Sequence, residues 1–129
     1  IIMTVEILRE KIKSIAEELR KNYKKATNQE GSLISYESLI HEMAMVAFLT
    51  DRMPDRRPVY KRIWDNQYEE TKNRGFNISF EEGKFIICST FPRFFGLTKG
   101  RKFEVEENSD LYALPEYCDA INSLQVSAR

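Results

Sequence analysis

The chain is poor in the residue types that most often carry chemistry. Its 129 residues include one histidine and two cysteines, Cys88 and Cys118, with no CxxC pair. A structural zinc site needs four Cys or His ligands, so none is expected, and both thiols are expected to be free in a reducing compartment. The chain also has no glycine-rich phosphate loop and no GxSxG motif. The sequence therefore favours a non-enzymatic protein without cofactor or metal, since acid–base catalysis would rest on carboxylates alone.

Long apolar runs are absent as well. The longest, Met43 to Leu49, is far shorter than the roughly 20 residues that span a bilayer, so no membrane partner is expected. Apolar residues make up 42% of the chain and charged residues 31%, as in an ordinary globular protein. These values and the chain length predict one domain over residues 1–129, located in the cytoplasm, or in the nucleus if the source is eukaryotic or viral.

The chain has no net charge, yet its charges are unevenly distributed. Residues 1–103 hold 19 Lys and Arg against 14 Asp and Glu, whereas residues 104–129 hold 1 against 6. Such asymmetry is typical of a protein with a basic binding face and an acidic segment elsewhere. An uneven but solvated surface is the alternative interpretation.

The N-terminal pattern predicts a long helix over residues 4–26, with Thr4 as its cap. Part of its apolar stripe also follows a heptad, so two interpretations remain open. The helix either packs on its own domain or forms a homodimer through Ile12, Ile15 and Leu19. The stripe consists of Val5, Leu8, Ile12, Ile15, Leu19 and Tyr23.

The centre of the chain, residues 33–88, predicts a helix–loop–helix–hairpin core. Leu33 and Ile34 are expected to form a short strand, and Ser35 to cap a helix that reaches Leu49. Alternation of apolar and polar residues and a glycine in the turn indicate the hairpin. The remaining segments are a loop over 50–58, a helix over 58–74 ended by Gly75, and a hairpin over 76–88 with its turn at Glu81 to Lys84.

A basic aromatic loop over residues 90–103 follows, and then an acidic C-terminal segment over residues 104–129. Phenylalanines interleaved with Arg93, Lys99 and Arg101 predict a loop that stacks on bases or lines a protein-binding groove, although the rings could instead fill the core. A third strand is expected near Phe103 and Val105 and a last helix over residues 115–124. The predicted fold class is α+β: a single small domain of about four helices and a small antiparallel sheet.

The strings ISYESL, RRPVYKRIW and NRGFNISFEEGKFII, taken in order as helix, helix and hairpin, resemble the winged helix-turn-helix superfamily. The resemblance covers residues 33–88. It implies that DNA or RNA is the partner, because in that superfamily the second helix enters the major groove and the hairpin wing touches the backbone. Lys84 would be the wing contact. The other implied groove or phosphate contacts are Arg56, Arg57, Lys61, Arg62 and Gln67.

A second, shorter pattern resembles the PD…ExK set of metal-dependent nucleases, in which acidic ligands hold a divalent cation and a lysine helps to activate water. Asp55, Glu82 and Lys84 are the matching residues, and His41 would be an additional ligand. The predicted context differs from that family, because a helix separates the two acidic positions and Glu82 falls in a turn.

Three functions remain open at this point. The leading prediction is a non-enzymatic nucleic-acid-binding domain that acts as a regulator or as the recognition module of a larger system. The second is a protein–protein interaction or assembly module that uses the first helix or the Phe-rich loop. The third is the metal-dependent nuclease.

Overall fold

The computed structural model describes residues 2–52, 75–89, 93–94, 97–98 and 101–127. The predicted helix over 58–74 lies outside the described residues. Helix α1 (Ile2–Thr27) begins before Thr4, which therefore lies inside the helix and does not cap it. Lys24 and Lys25 occupy its last turn, where cations complement the helix dipole.

The apolar stripe of α1 packs on the chain's own core. Ile12, Ile15 and Leu19 are 0%, 3% and 0% exposed in the single chain. These three side chains are therefore covered by other parts of the chain, and a homodimer through Ile12, Ile15 and Leu19 stays a prediction. A short amphipathic repeat does not distinguish a partner helix from the remainder of the same domain, since both offer an apolar surface.

The segment between the first two helices contains a turn where a short strand was expected at Leu33 and Ile34. The Ile34 amide donates to the Gly31 carbonyl over 3.0 Å. The Ile34 carbonyl accepts a 2.7 Å hydrogen bond from Arg20 Nη1, so a side chain takes the place that a neighbouring strand would have. The Ile34 side chain is buried, whereas Leu33 is half exposed.

Helix α2 (Tyr36–Ala47) is the central helix. Ser35 caps it as expected, since its hydroxyl accepts the Ser38 amide hydrogen bond over 3.1 Å. Nine of its twelve residues are buried, which agrees with its high apolar content. The helix continues into a short π-helical segment, Phe48–Arg52.

Three antiparallel strands form the main sheet in the order β1 (Phe76–Glu81), β2 (Lys84–Ser89) and β5 (Lys102–Glu106). The predicted hairpin and third strand are confirmed. Glu82 and Gly83 form the turn between β1 and β2, and both have positive φ (52° and 75°), as a two-residue type I′ turn requires.

Two further short strands, β3 (Arg93–Phe94) and β4 (Leu97–Thr98), pair with each other. They lie in the segment predicted as a basic aromatic loop. The prediction of a loop throughout 90–103 is therefore wrong, because residues 102 and 103 also belong to β5.

The acidic C-terminal segment forms α3 (Ser109–Tyr112) and α4 (Pro115–Ser127). The expected last helix is confirmed, with Pro115 at its first position. Leu111, Leu114 and Tyr117 are fully buried and join α1, α2 and the inner face of the sheet in one hydrophobic core. The α+β fold class is thus confirmed. Within the described ranges, no helix has the length and apolar character needed to cross a membrane.

Candidate functional site

Most of the predicted nucleic-acid contacts lie outside the described residues. This applies to the five predicted contacts in and just before the helix over 58–74, and to Lys99. Arg93 lies in β3, but its side chain is not described. The residues outside the described ranges are Arg56, Arg57, Lys61, Arg62, Gln67 and Lys99.

The predicted wing contact, Lys84, lies in acidic surroundings. It opens β2, where it stands directly opposite Glu81 on one side and Glu106 on the other. Its Nζ lies 3.9 Å from a Glu104 carboxylate oxygen. The surface around Lys84 is therefore not the basic surface that would attract a phosphate backbone.

Arg101 lies near the opposite end of the same ladder and is engaged with α1. Its Nη1 donates to both Glu18 carboxylate oxygens over 2.7 Å, and the guanidinium lies 5.0 Å from the Phe103 ring centroid. The structure does not bring Arg101 and Lys84 together. Instead, the Arg101–Glu18 pair joins the start of β5 to α1.

The nuclease-like residues do not form a metal site in the described part of the chain. Glu82 is an exposed turn residue, and Asp55 lies outside the described residues. His41 is exposed on α2, beside a cavity of about 220 Å³. Across the described ranges, no three His, Cys, Asp or Glu side chains are grouped as a metal ion would require.

A groove lies between α1 and β5, and we call it the α1–β5 groove. Its volume is about 390 Å³. Ile7 and Leu8 of α1 and Val105 of β5 supply apolar surface, and Ile7 is 65% exposed although it is a large aliphatic residue. The complete lining is Thr4, Ile7, Leu8, Lys11, Glu104, Val105, Glu106, Asn108 and Asp110.

One side of the α1–β5 groove is an open strand edge. In the described sheet, β5 pairs with β2 alone. The Ser89 amide donates to the Arg101 carbonyl, and the Glu107 amide donates to the Gly83 carbonyl. Because backbone groups alternate in direction along a strand, the odd-numbered residues of β5 face β2 and the even-numbered ones face away from it. The amides and carbonyls of Lys102, Glu104 and Glu106 therefore point toward the open edge.

The rim of the α1–β5 groove is predominantly acidic. Glu104, Glu106 and Asp110 contribute three carboxylates to the lining and Lys11 contributes one ammonium group, while Lys84, outside the lining, lies 3.9 Å from Glu104. Asn108 donates a long hydrogen bond of 3.5 Å to Glu106, but all three carboxylates belong to exposed residues. An apolar floor with acidic walls suits a ligand that is both apolar and cationic.

On the side of α1 opposite the groove, Arg9 and Tyr36 contact the same carboxylate, that of Glu116. We call this the closed side of α1, and we call the side that lines the groove its open side. Arg9 Nε and Nη2 donate to the two Glu116 oxygens over 3.1 and 3.2 Å, and the Tyr36 hydroxyl donates to the same carboxylate over 2.5 Å. The Arg9 guanidinium holds the pKa of Glu116 below its usual range. Burial, together with the hydrogen bond to Glu116, raises the pKa of Tyr36. This network joins α1, α2 and α4 and so fixes the helix that forms one wall of the groove.

The groove is a feature that the sequence patterns did not indicate. Two local signals were available: Ile7 lies off the buried stripe of α1, and the outward positions of β5 are all charged. No family model, curated protein or solved structure matches the chain.

Proposed function

We propose that this chain is a non-enzymatic protein-binding module that receives a partner protein in the α1–β5 groove. The observation that carries the proposal is exposed apolar surface at Ile7 beside a strand edge that pairs with no other strand among the described residues. Exposed apolar surface with a polar rim is typical of interaction sites, and open strand edges are recurrent places of peptide binding. The first helix thus supplies one wall of the interface.

The charge of the described surface also supports protein binding over nucleic-acid binding. Among the residues whose side chains are described, 10 are Lys or Arg and 15 are Asp or Glu. A surface with this balance repels a phosphate backbone, because nucleic-acid affinity depends on neutralising phosphates with cations.

Selection of random displayed peptides on the immobilised protein tests the proposal. Peptides that bind the wild-type protein should lose at least about tenfold in affinity on Ile7→Asp, because the carboxylate would have to be desolvated against an apolar ligand. Val126→Asp is the matched control, since Val126 is 66% exposed on α4. Circular dichroism would verify that both variants are folded. Failure to select any peptide, or selection only of peptides that tolerate Ile7→Asp, would overturn the proposal.

Nucleic-acid binding is a second candidate, and the charge of the remaining residues favours it. Those residues hold 10 Lys and Arg against 5 Asp and Glu, with Arg56, Arg57, Lys61 and Arg62 close together in sequence. Affinity for duplex DNA should fall steeply with added salt, and Arg57→Ala with Arg62→Ala should weaken it. Lys24→Ala with Lys25→Ala, at the end of α1, is the control of equal charge. Absence of DNA and RNA binding at low salt would exclude this candidate.

A further inference from the structure

We infer that the occupant of the α1–β5 groove is an extended segment of a partner protein in which apolar and basic residues alternate, and that it adds to the sheet as a fourth strand beside β5. This inference rests on the proposed function and specifies the partner and the mode of binding. Three features of the groove lead to it: the direction of the free backbone groups, the apolar floor and the acidic wall.

The backbone of β5 provides the pairing surface. Lys102, Glu104 and Glu106 direct their amides and carbonyls to the open edge, and no backbone partner occupies that edge in the described structure. An incoming strand can satisfy these groups through main-chain hydrogen bonds, which is how extended peptides add to sheets. Because main-chain pairing is indifferent to side chains, the groove surfaces must supply the selectivity.

The two faces of an added strand would meet different surroundings. On the inner face, side chains would continue the row of Val105 and lie against Ile7 and Leu8 of α1. On the outer face, side chains would neighbour Glu104 and Glu106, which lie on the exposed face of the sheet. Since successive side chains of a strand point to opposite faces, the matching segment is alternately apolar and basic.

A basic segment matches the charges of β5 better than a second copy of this chain does. An antiparallel copy centred on Glu104 would place Lys102 opposite Glu106 at two positions, but it would also place the two Glu104 carboxylates opposite each other. Like charges directly opposite each other across strands are destabilising. A segment with Lys or Arg opposite Glu104 and Glu106 keeps the two attractive pairs without that repulsion.

Alternating lysine–valine peptides, blocked at both ends and labelled with a fluorophore, provide the direct test. The expected result is saturable binding by fluorescence anisotropy, and slower amide hydrogen exchange at Lys102, Glu104 and Glu106. N-methylation of the peptide amides that face β5 should weaken binding by about tenfold or more, because each methyl removes a main-chain donor. N-methylation of the opposite edge of the peptide should leave the affinity unchanged.

Charge reversal at Glu104 and Glu106 is the second test of the inference. Glu104→Lys with Glu106→Lys should weaken binding of the lysine–valine peptide by about tenfold, whereas Glu81→Lys with Glu82→Lys, which makes the same charge change at the β1–β2 turn and not on β5, should have little effect. Equal binding of a glutamate–valine peptide would overturn the basic partner, and tolerance of N-methylation on the edge facing β5 would overturn strand addition. A dimer in light scattering that Lys102→Glu abolishes, because Glu would then lie opposite Glu106, would assign the edge to a second copy.

These results separate the inference from the function on which it rests. If displayed peptides sensitive to Ile7→Asp are selected but the lysine–valine peptide does not bind, the groove is a binding site and the strand model is wrong. If neither kind of peptide binds, both proposals fall.

Discussion

The N-terminal half of α1 has two sides of opposite character. On the closed side, the Arg9 side chain is only 19% exposed and is held by Glu116, which also accepts the Tyr36 hydrogen bond. On the open side, two residues earlier, Ile7 is 65% exposed beside the unpaired edge of β5. The same helix therefore contributes to the packing of the domain on one side and lines the α1–β5 groove on the other.

This difference separates the residues that maintain the fold from those available for binding. No buried side-chain polar atom among the described residues lacks a hydrogen-bond partner, as is typical of a stable interior. The outward-facing backbone groups of β5, in contrast, have no strand partner among the described residues, so a partner protein can use them. Substitutions on the closed side should affect stability, whereas those on the open side should affect binding.

The largest expected difference in stability is between substitutions of two isoleucines of α1. Ile12→Ala should lower the free energy of unfolding by about 2–5 kcal/mol, because Ile12 is fully buried and its loss leaves a cavity. Ile7→Ala makes the same chemical change at an exposed site and should alter stability by no more than about 0.5 kcal/mol. Urea unfolding followed by circular dichroism measures both. Comparable losses in the two variants would show that Ile7 is part of the core and not of a free surface.

Two glycines extend the comparison to the ends of β1. Gly75 lies against α1: its φ is +99°, and an added Cβ would lie 2.6 Å from Tyr23 Cδ2. Gly83 has φ +75° at the exposed hairpin turn, with nothing within 4 Å of an added Cβ. Gly83→Ala should cost about 1–2 kcal/mol through backbone strain alone.

Gly75→Ala adds a steric clash to the same strain, so its total cost should be about 3 kcal/mol. Thermal and urea unfolding of the two alanine variants would give the difference directly. A smaller loss at Gly75 than at Gly83 would mean that Tyr23 moves aside without cost, and the closed side would then be less tightly packed than the structure indicates.

The elements that sequence reasoning predicted correctly are those set by local rules. The hairpin was predicted from alternation at Phe76, Ile78 and Phe80 and from Gly83 in its turn, since period and turn chemistry depend only on neighbouring residues. The Ser35 cap was predicted for the same reason. The strand at Leu33 and Ile34 was wrong, because a strand requires a partner, and Arg20 takes up the Ile34 carbonyl instead.

The groove and the homodimer seam depend on tertiary arrangement. The stripe containing Ile12 is compatible with a partner helix or with a core, and only the packing of the remaining elements decides between them. The open edge of β5 follows from the strand order β1–β2–β5, which no local pattern encodes. The groove appears only when that edge is placed beside Ile7.

The smallest expected effect is the pH-dependent contribution of Glu116 to the free energy of unfolding. Glu116 has a lowered pKa because Arg9 stabilises its ionised form. A carboxylate with a lowered pKa in the folded state stabilises the protein above its ordinary pKa of about 4.3, and that contribution disappears as the pH falls through the folded-state value. Glu116→Gln should therefore lower stability at neutral pH by at most about 1 kcal/mol, since the pair is partly exposed.

The pH dependence of that loss is the decisive measurement, because it distinguishes the contribution of the Arg9–Glu116 ion pair from that of packing. The difference in unfolding free energy between wild type and Glu116→Gln should shrink toward zero as the pH falls below the ordinary range for glutamate. Asp119→Asn makes the same carboxylate-to-amide change at an exposed residue of α4 and is the control. A constant difference at every pH would mean that the loss in Glu116→Gln does not depend on the ionisation of Glu116. The contrast between the closed and the open side of α1 would then be one of burial and hydrogen bonding and not of charge.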